Sequence, residues 1–102
     1  MGNKLLGTAA VSAMLVSAQG ALAATEIQWW HAMGGRLGEK VEEIAAVFNA
    51  AQNDYEVNPV YKGNYTETMT AAIAAFRAGE QPHVVQVFEV GTATMMAAEG
   101  AV

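Results

Sequence analysis

The chain has 102 residues, ten Asp and Glu against five Lys and Arg, a formal net charge of −5 and no cysteine. An acidic chain without a basic patch argues against a nucleic-acid partner and against adhesion to anionic lipid. Without cysteine there is no disulfide and no thiolate metal ligand.

The first 23 residues read as a secretory signal peptide. Lys4 and the amino terminus supply the positive start. Leu5 to Ala18 is a mostly apolar run, and Ala21-Leu22-Ala23 offers the small residues of an A-x-A cleavage site. A membrane anchor is the competing reading. It needs about 20 strongly apolar residues, whereas this run is shorter and diluted by Gly7, Thr8, Ser12 and Ser17. No cysteine succeeds the cleavage site, so no lipid anchor is expected there. The mature part, residues 24–102, has a size at which a single core is marginal. It stops at Glu99-Gly100-Ala101-Val102 without a closing element. An incomplete reading frame is expected, with stability drawn from a larger body.

After the signal segment, strand-like runs alternate with helical patterns, the mark of an α/β layer fold with parallel strands. Glu26 to Trp30 is the first strand, and the Gly34-Gly35 pair turns the chain into a helix from about Arg36 to Ala51. Leu37, Val41, Ile44 and Phe48 recur at helical spacing and are expected to form its buried stripe. Tyr55 to Tyr61 is the second strand. Pro59, which has no N–H to give to a ladder, places that strand at an edge or at an irregular end. Lys62-Gly63 turns, and Asn64 with Glu67 forms a capping box for a helix over about Tyr65 to Ala78. Met69, Ile73 and Phe76 point inward in that helix, and Gly79 is its left-handed stop. Asn64-Tyr65-Thr66 is also a formal glycosylation sequon, but a helix cap is the expected use in what reads as a bacterial export product. Val84 to Val90 reads as a third strand, apolar enough to be covered on both faces. Gly91-Thr92 turns again, and a third helix is expected from Thr94.

The order is therefore βαβαβα with right-handed crossovers. With the second strand at an edge, the first lies between the other two, strand order 2-1-3. Ligands of such sheets sit beyond the carboxyl ends of the strands. Trp30-His31, Gly63-Asn64-Tyr65, and Glu89 with Gly91-Thr92 meet there.

Each of these residues carries two readings. Trp29 and Trp30, adjacent in a strand, face opposite ways. One of them is either an aromatic plate for polyol C–H groups or, like its neighbour, part of the core. His31 has no His or Cys at ligand spacing, and His83 falls at the other end of the sheet, so no metal site is expected and His31 is chiefly a structural or supporting residue. The Tyr65 hydroxyl either bonds a ligand or its ring covers the helix start. Glu89 is the strongest candidate, because an ionised carboxylate interrupting an apolar strand is costly unless partnered. Accepting only, it suits ligand hydroxyls and repels phosphate. Its plain alternative is an edge charge facing solvent. The Gly34-Gly35 and Gly91-Thr92 turns precede helices and offer free N–H groups to an anion, a weak signal. No dinucleotide fingerprint, phosphate loop or nucleophile elbow occurs, and no cofactor is expected.

The segments Trp30 to Gly35, Val60 to Tyr65 (VYKGNY), Ala71 to Arg77 (AAIAAFR) and Gln86 to Met96 (QVFEVGTATMM) together resemble the extracellular solute-binding family of ABC importers, in particular its glycerol-3-phosphate-binding branch. That resemblance covers essentially all of residues 24–102. It implies a protein of two α/β lobes closing on ligand, of which this chain is the N-terminal part of the first. It further implies that Tyr65 and Glu89 contact the ligand, with weaker candidates in Trp30 and His31, and that the groups holding the phosphate lie beyond Val102. The implied function is capture of sn-glycerol-3-phosphate or a glycerophosphodiester in the periplasm for the permease subunits of an ABC transporter, without catalysis or direct insertion into the membrane. A sugar- or oligosaccharide-binding relative is the alternative. An enzyme using Glu89 and His31 as an acid–base pair is the rival from another class, and nothing in the chain supplies its nucleophile or metal.

Overall fold

A computed structural model describes residues 23–101 and Gly2. The rest of the segment read as a signal peptide lies outside the described residues. The elements are β1 (Thr25–His31), α1 (Gly35–Ala51), β2 (Tyr55–Tyr61), α2 (Tyr65–Arg77), β3 (Val84–Val85) and α3 (Glu89–Met96). The strands form one parallel sheet in the order β2-β1-β3. This is the α/β arrangement and strand order that alternation and Pro59 predict.

Pro59 lies opposite Trp29 on the edge strand β2, where the missing N–H does least harm. Val57 on the same strand gives both its backbone groups to one side chain of α1. Its N–H donates to Asn49 Oδ1 at 2.7 Å, and Asn49 Nδ2 donates to its carbonyl at 2.9 Å. The α1–β2 turn is closed in the same way by Gln52, whose Oε1 accepts from the N–H groups of Asp54 and Tyr55.

The buried stripe of α1 differs from the expected one. Val41 and Ala45 meet the sheet, whereas Leu37, Ile44 and Phe48 remain 61%, 54% and 43% exposed. A helix settles closest to a sheet over its smallest residues, so Ala45 takes the contact and the larger apolar side chains flank it. Ile44 and Phe48 line an apolar groove of about 290 Å³ with Ile27, Trp29, Val57 and Val84.

In α2 the expected Asn64–Glu67 capping box is present. Thr68 and Ala72 form its buried stripe, with Met69, Ile73 and Phe76 half-buried. The helix closes on Gly79 at φ +72°. Gly79 N–H donates to the Phe76 carbonyl and Glu80 N–H to the Ala75 carbonyl, the paired bonds of a Schellman stop.

The third strand and third helix depart most from expectation. Pairing with β1 ends at Val85, and residues 86–88 lead directly into α3, which starts at Glu89 rather than Thr94. Gln86 causes the departure. Its N–H still donates to the Trp30 carbonyl at 2.9 Å, but its side chain turns across to accept the Ala32 N–H at 3.0 Å, which closes the sheet end instead of extending it. Gly91 is buried inside α3, not in a turn. A Cβ there would lie 3.1 Å from Met69 Sδ and from the Phe88 ring, so glycine lets α3 approach α2. No helix among the described residues is long and apolar enough to cross a membrane.

Candidate functional site

The three strands end together on one rim, and the connections leaving it carry most of the candidate residues. The best fixed is the β2–α2 connection. Lys62 N–H donates to the His31 carbonyl at 3.0 Å, which ties the first residue after β2 to the end of β1. Gly63 turns the chain at φ +103°. Asn64 Oδ1 accepts the Glu67 N–H at 2.8 Å, and Glu67 Oε1 accepts the Asn64 N–H at 3.2 Å. One turn further on, the fully buried Thr68 hydroxyl donates to the His31 carbonyl at 3.4 Å, with the Gly63 carbonyl 3.5 Å away. Tyr65, the first residue of α2, is thus carried on a loop tied by these backbone and side-chain hydrogen bonds to β1 and to its own helix.

Tyr65 is 38% exposed, and its ring lies against Phe88 with centroids 5.3 Å apart. Phe88 caps α3, and the next residue is Glu89. The two leading candidates therefore stand at the starts of neighbouring helices on the same rim. Glu89 sits differently from the expectation. It is an exposed carboxylate in the first turn of α3, where the helix dipole favours negative charge, and not a charge inside a strand. A carboxylate there needs no partner buried in the sheet and is open to a hydrogen-bond donor from solvent.

Trp29 and Trp30 face opposite sides, as adjacent strand residues must. Trp29 lines the apolar groove beneath α1. Trp30 is buried, donates its indole N–H to Gln28 Oε1 at 3.1 Å, and carries the Lys62 ammonium 3.9 Å from its ring centroid. His31 is only 2% exposed. Its Nδ1 accepts the Met33 N–H at 3.2 Å, so the proton of the neutral ring resides on Nε2, which has no partner among the described residues. Burial lowers its pKa, against a smaller upward pull from Glu42. The ring is flanked by Trp29 and Tyr61 at 6.1 and 6.0 Å. Trp30 and His31 thus support the rim from below, while Tyr65 and Glu89 stand on it. His83 lies three residues back along β1, its Nδ1 accepting the Gln28 N–H at 2.9 Å. Among the described residues no three of His, Cys, Asp and Glu gather as a metal site.

Sequence reasoning passed over Gln86, Thr68 and Phe88. Gln86 had a signal, since an amide within an apolar run has to spend its polar atoms somewhere. Thr68 in a helix and Phe88 among valines had none.

No family model matches the chain. The chain is similar to proteins named sn-glycerol-3-phosphate-binding periplasmic protein UgpB. The one from Rhizobium meliloti is 56% identical over 82 residues, 80% of this chain and 19% of the relative. That from Yersinia pestis is 52% identical over 89 residues, 87% of this chain and 20% of the relative. That from Agrobacterium fabrum is 50% identical over 102 residues, 100% of this chain and 23% of the relative. The chain spans about a fifth of the length of the curated relatives it matches.

Proposed function

We propose, from the premise that this chain is homologous to the sn-glycerol-3-phosphate-binding periplasmic proteins over 80–100% of its own length, that it forms part of the ligand-binding lobe of such a protein. The function is capture of sn-glycerol-3-phosphate in the periplasm and delivery to the permease subunits of an ABC importer, with the ligand returned unchanged. The observation that carries this reading is the 56% identity. The rim geometry supports it: Tyr65 and Glu89 start neighbouring helices at the carboxyl ends of parallel strands, where ligands of such sheets bind.

In this reading the Tyr65 hydroxyl and the Glu89 carboxylate take the glycerol end of the ligand. Glu89 accepts from hydroxyls, and Tyr65 both donates and accepts. Trp30 and His31 hold the rim beneath them. Residues 1–23 are the cleaved export signal, and residues 24–102 belong to the lobe.

Calorimetric titration of the complete protein bearing this sequence tests the function. Saturable one-to-one binding of sn-glycerol-3-phosphate is expected, with none of a neutral hexose at the same concentration and no chemical change in the ligand. Turnover of the ligand, or preference for the hexose, would sink the reading. Mass spectrometry of the exported protein should find Ala24 at the new amino terminus. A membrane-retained form starting at Met1 would contradict the assigned export signal.

A further inference from the structure

We infer that Phe88 is the positioning residue that holds the Tyr65 side chain in place beside Glu89 before ligand arrives, an inference that rests on the glycerol-3-phosphate reading. Residue 88 caps α3 from an extended conformation, and no side-chain bond caps that helix. A phenylalanine brings no acceptor to the free N–H groups of the first turn, as Ser, Thr, Asp or Asn would. What it brings is a ring, and the ring lies on Tyr65.

The two helices meet in two layers. Nearest their starts, the Phe88 and Tyr65 rings pack with centroids 5.3 Å apart and planes inclined by 39°. One turn further along, Gly91 faces Met69, where an added Cβ would stand 3.1 Å from Met69 Sδ and 3.1 Å from the Phe88 ring. Tyr65 and Met69 are four residues apart on α2, so they share one face of that helix. The bare backbone at Gly91 thus sets the spacing of the helices, and the Phe88 ring is bounded by Gly91 on its own helix and by Tyr65 on the other. The Phe88 backbone is held as well, its carbonyl accepting the Gly91 N–H at 2.9 Å and the Thr92 hydroxyl at 3.3 Å. Phe88 is half-buried whereas Tyr65 is exposed, so the inner ring is the support and the outer ring is the one supported. Tyr65 needs that support. Helical side chains lean back over the turn before them, and the first residue of α2 has no preceding turn of its helix to lean on. Without Phe88 the ligand itself would have to order the Tyr65 side chain, at a cost in affinity. Because Glu89 follows Phe88 directly, the same contact sets where the hydroxyl and the carboxylate stand relative to each other.

The test is a double-mutant cycle in the complete protein, with sn-glycerol-3-phosphate as the titrated probe. The four proteins are wild type, Phe88→Leu, Tyr65→Ala and the double variant. Phe88→Leu keeps an apolar side chain but loses the ring, and should weaken binding about 2- to 12-fold. In the Tyr65→Ala background the same change should alter affinity by less than about 2-fold, because nothing remains to be positioned. A merely structural phenylalanine would weaken binding equally in both backgrounds, and that result overturns the inference. So does an unchanged affinity in Phe88→Leu, or in Tyr65→Ala, which would leave no contact for Phe88 to orient. Should Phe88→Leu not fold, the wild type decides by nuclear magnetic resonance. Cross-peaks between the Tyr65 and Phe88 rings must be present without ligand and persist at saturation; rings that meet only after ligand is added overturn the inference. A folded wild type that does not bind sn-glycerol-3-phosphate rejects the proposed function itself, which is a different result from an additive cycle in a protein that binds.

Discussion

Replacing Gly63 by alanine attacks the rim at its most constrained point. Gly63 sits at φ +103°, where an L side chain is strained, and the backbone cost of such a conformation is about 1–3 kcal/mol. The added Cβ would also lie 2.9 Å from Glu67 Cδ and 3.0 Å from both carboxylate oxygens. Glu67 can swing away, but doing so gives up its bond to the Asn64 N–H, worth about 1 kcal/mol. The two effects together predict a loss of about 2–4 kcal/mol, read by urea denaturation of the complete protein. Hydrogen exchange should quicken first in the opening turn of α2. The double variant Gly63→Ala with Glu67→Ala removes the collision but not the backbone strain. Its cost should be about 1 kcal/mol less than the sum of the two single changes. A Gly63→Ala loss below about 1 kcal/mol would refute the strain assignment, and strict additivity would refute the collision with Glu67.

Two other outcomes concern the rim and the histidine beneath it. Glu89→Gln should weaken sn-glycerol-3-phosphate binding by roughly 10- to 150-fold, yet cost only about 0.3–1 kcal/mol of unliganded stability through the α3 dipole; unchanged affinity in the titration would leave Glu89 a plain helix-start charge. His31 resists protonation in the folded chain because of its burial, so its folded pKa lies below the unfolded 6.5. Stability should therefore be insensitive to this group above pH 6.5 and fall as pH drops below it. Melting curves between about pH 7.5 and 5 should show a drop that shrinks in His31→Asn, and an unchanged drop would assign the acid sensitivity elsewhere.

The parts of the fold that are legible in sequence are those governed by local chemistry. Pro59 marks an edge because it lacks a donor, Asn64 and Glu67 mark a helix start because each satisfies the other's backbone, and Gly79 marks a stop because it tolerates positive φ. These features place β1, α1, β2 and α2 to within a residue or two and set the strand order. What is not legible depends on partners distant in sequence. Periodicity finds the amphipathic stripe of α1 but does not say that Ala45, and not Ile44 or Phe48, meets the sheet. That choice depends on how closely the helix can approach β1 and β2.

Glu89 shows the same limit at the site. In Val84 to Val90 the apolar pattern favours a strand, yet the chain leaves the sheet after Val85, where the Gln86 side chain bonds Ala32, a residue 54 positions earlier. Once Gln86 has closed that end, Phe88 is free to meet Tyr65, Gly91 lets α3 pack on Met69, and Glu89 falls on the first turn of a helix. Local preference puts Glu89 on the rim but in the wrong element, and the difference changes its chemistry. A carboxylate inside a covered strand would need a buried partner. One at an exposed helix start is stabilised by the dipole in the free protein and can exchange water for ligand hydroxyls at small cost. The β2–α2 connection, by contrast, is fixed before any ligand arrives by the Lys62–His31 bond and the Asn64–Glu67 capping box. The rim thus sets a fixed edge bearing Tyr65 beside a solvated edge bearing Glu89, and in the proposed reading the glycerol end of the ligand meets both.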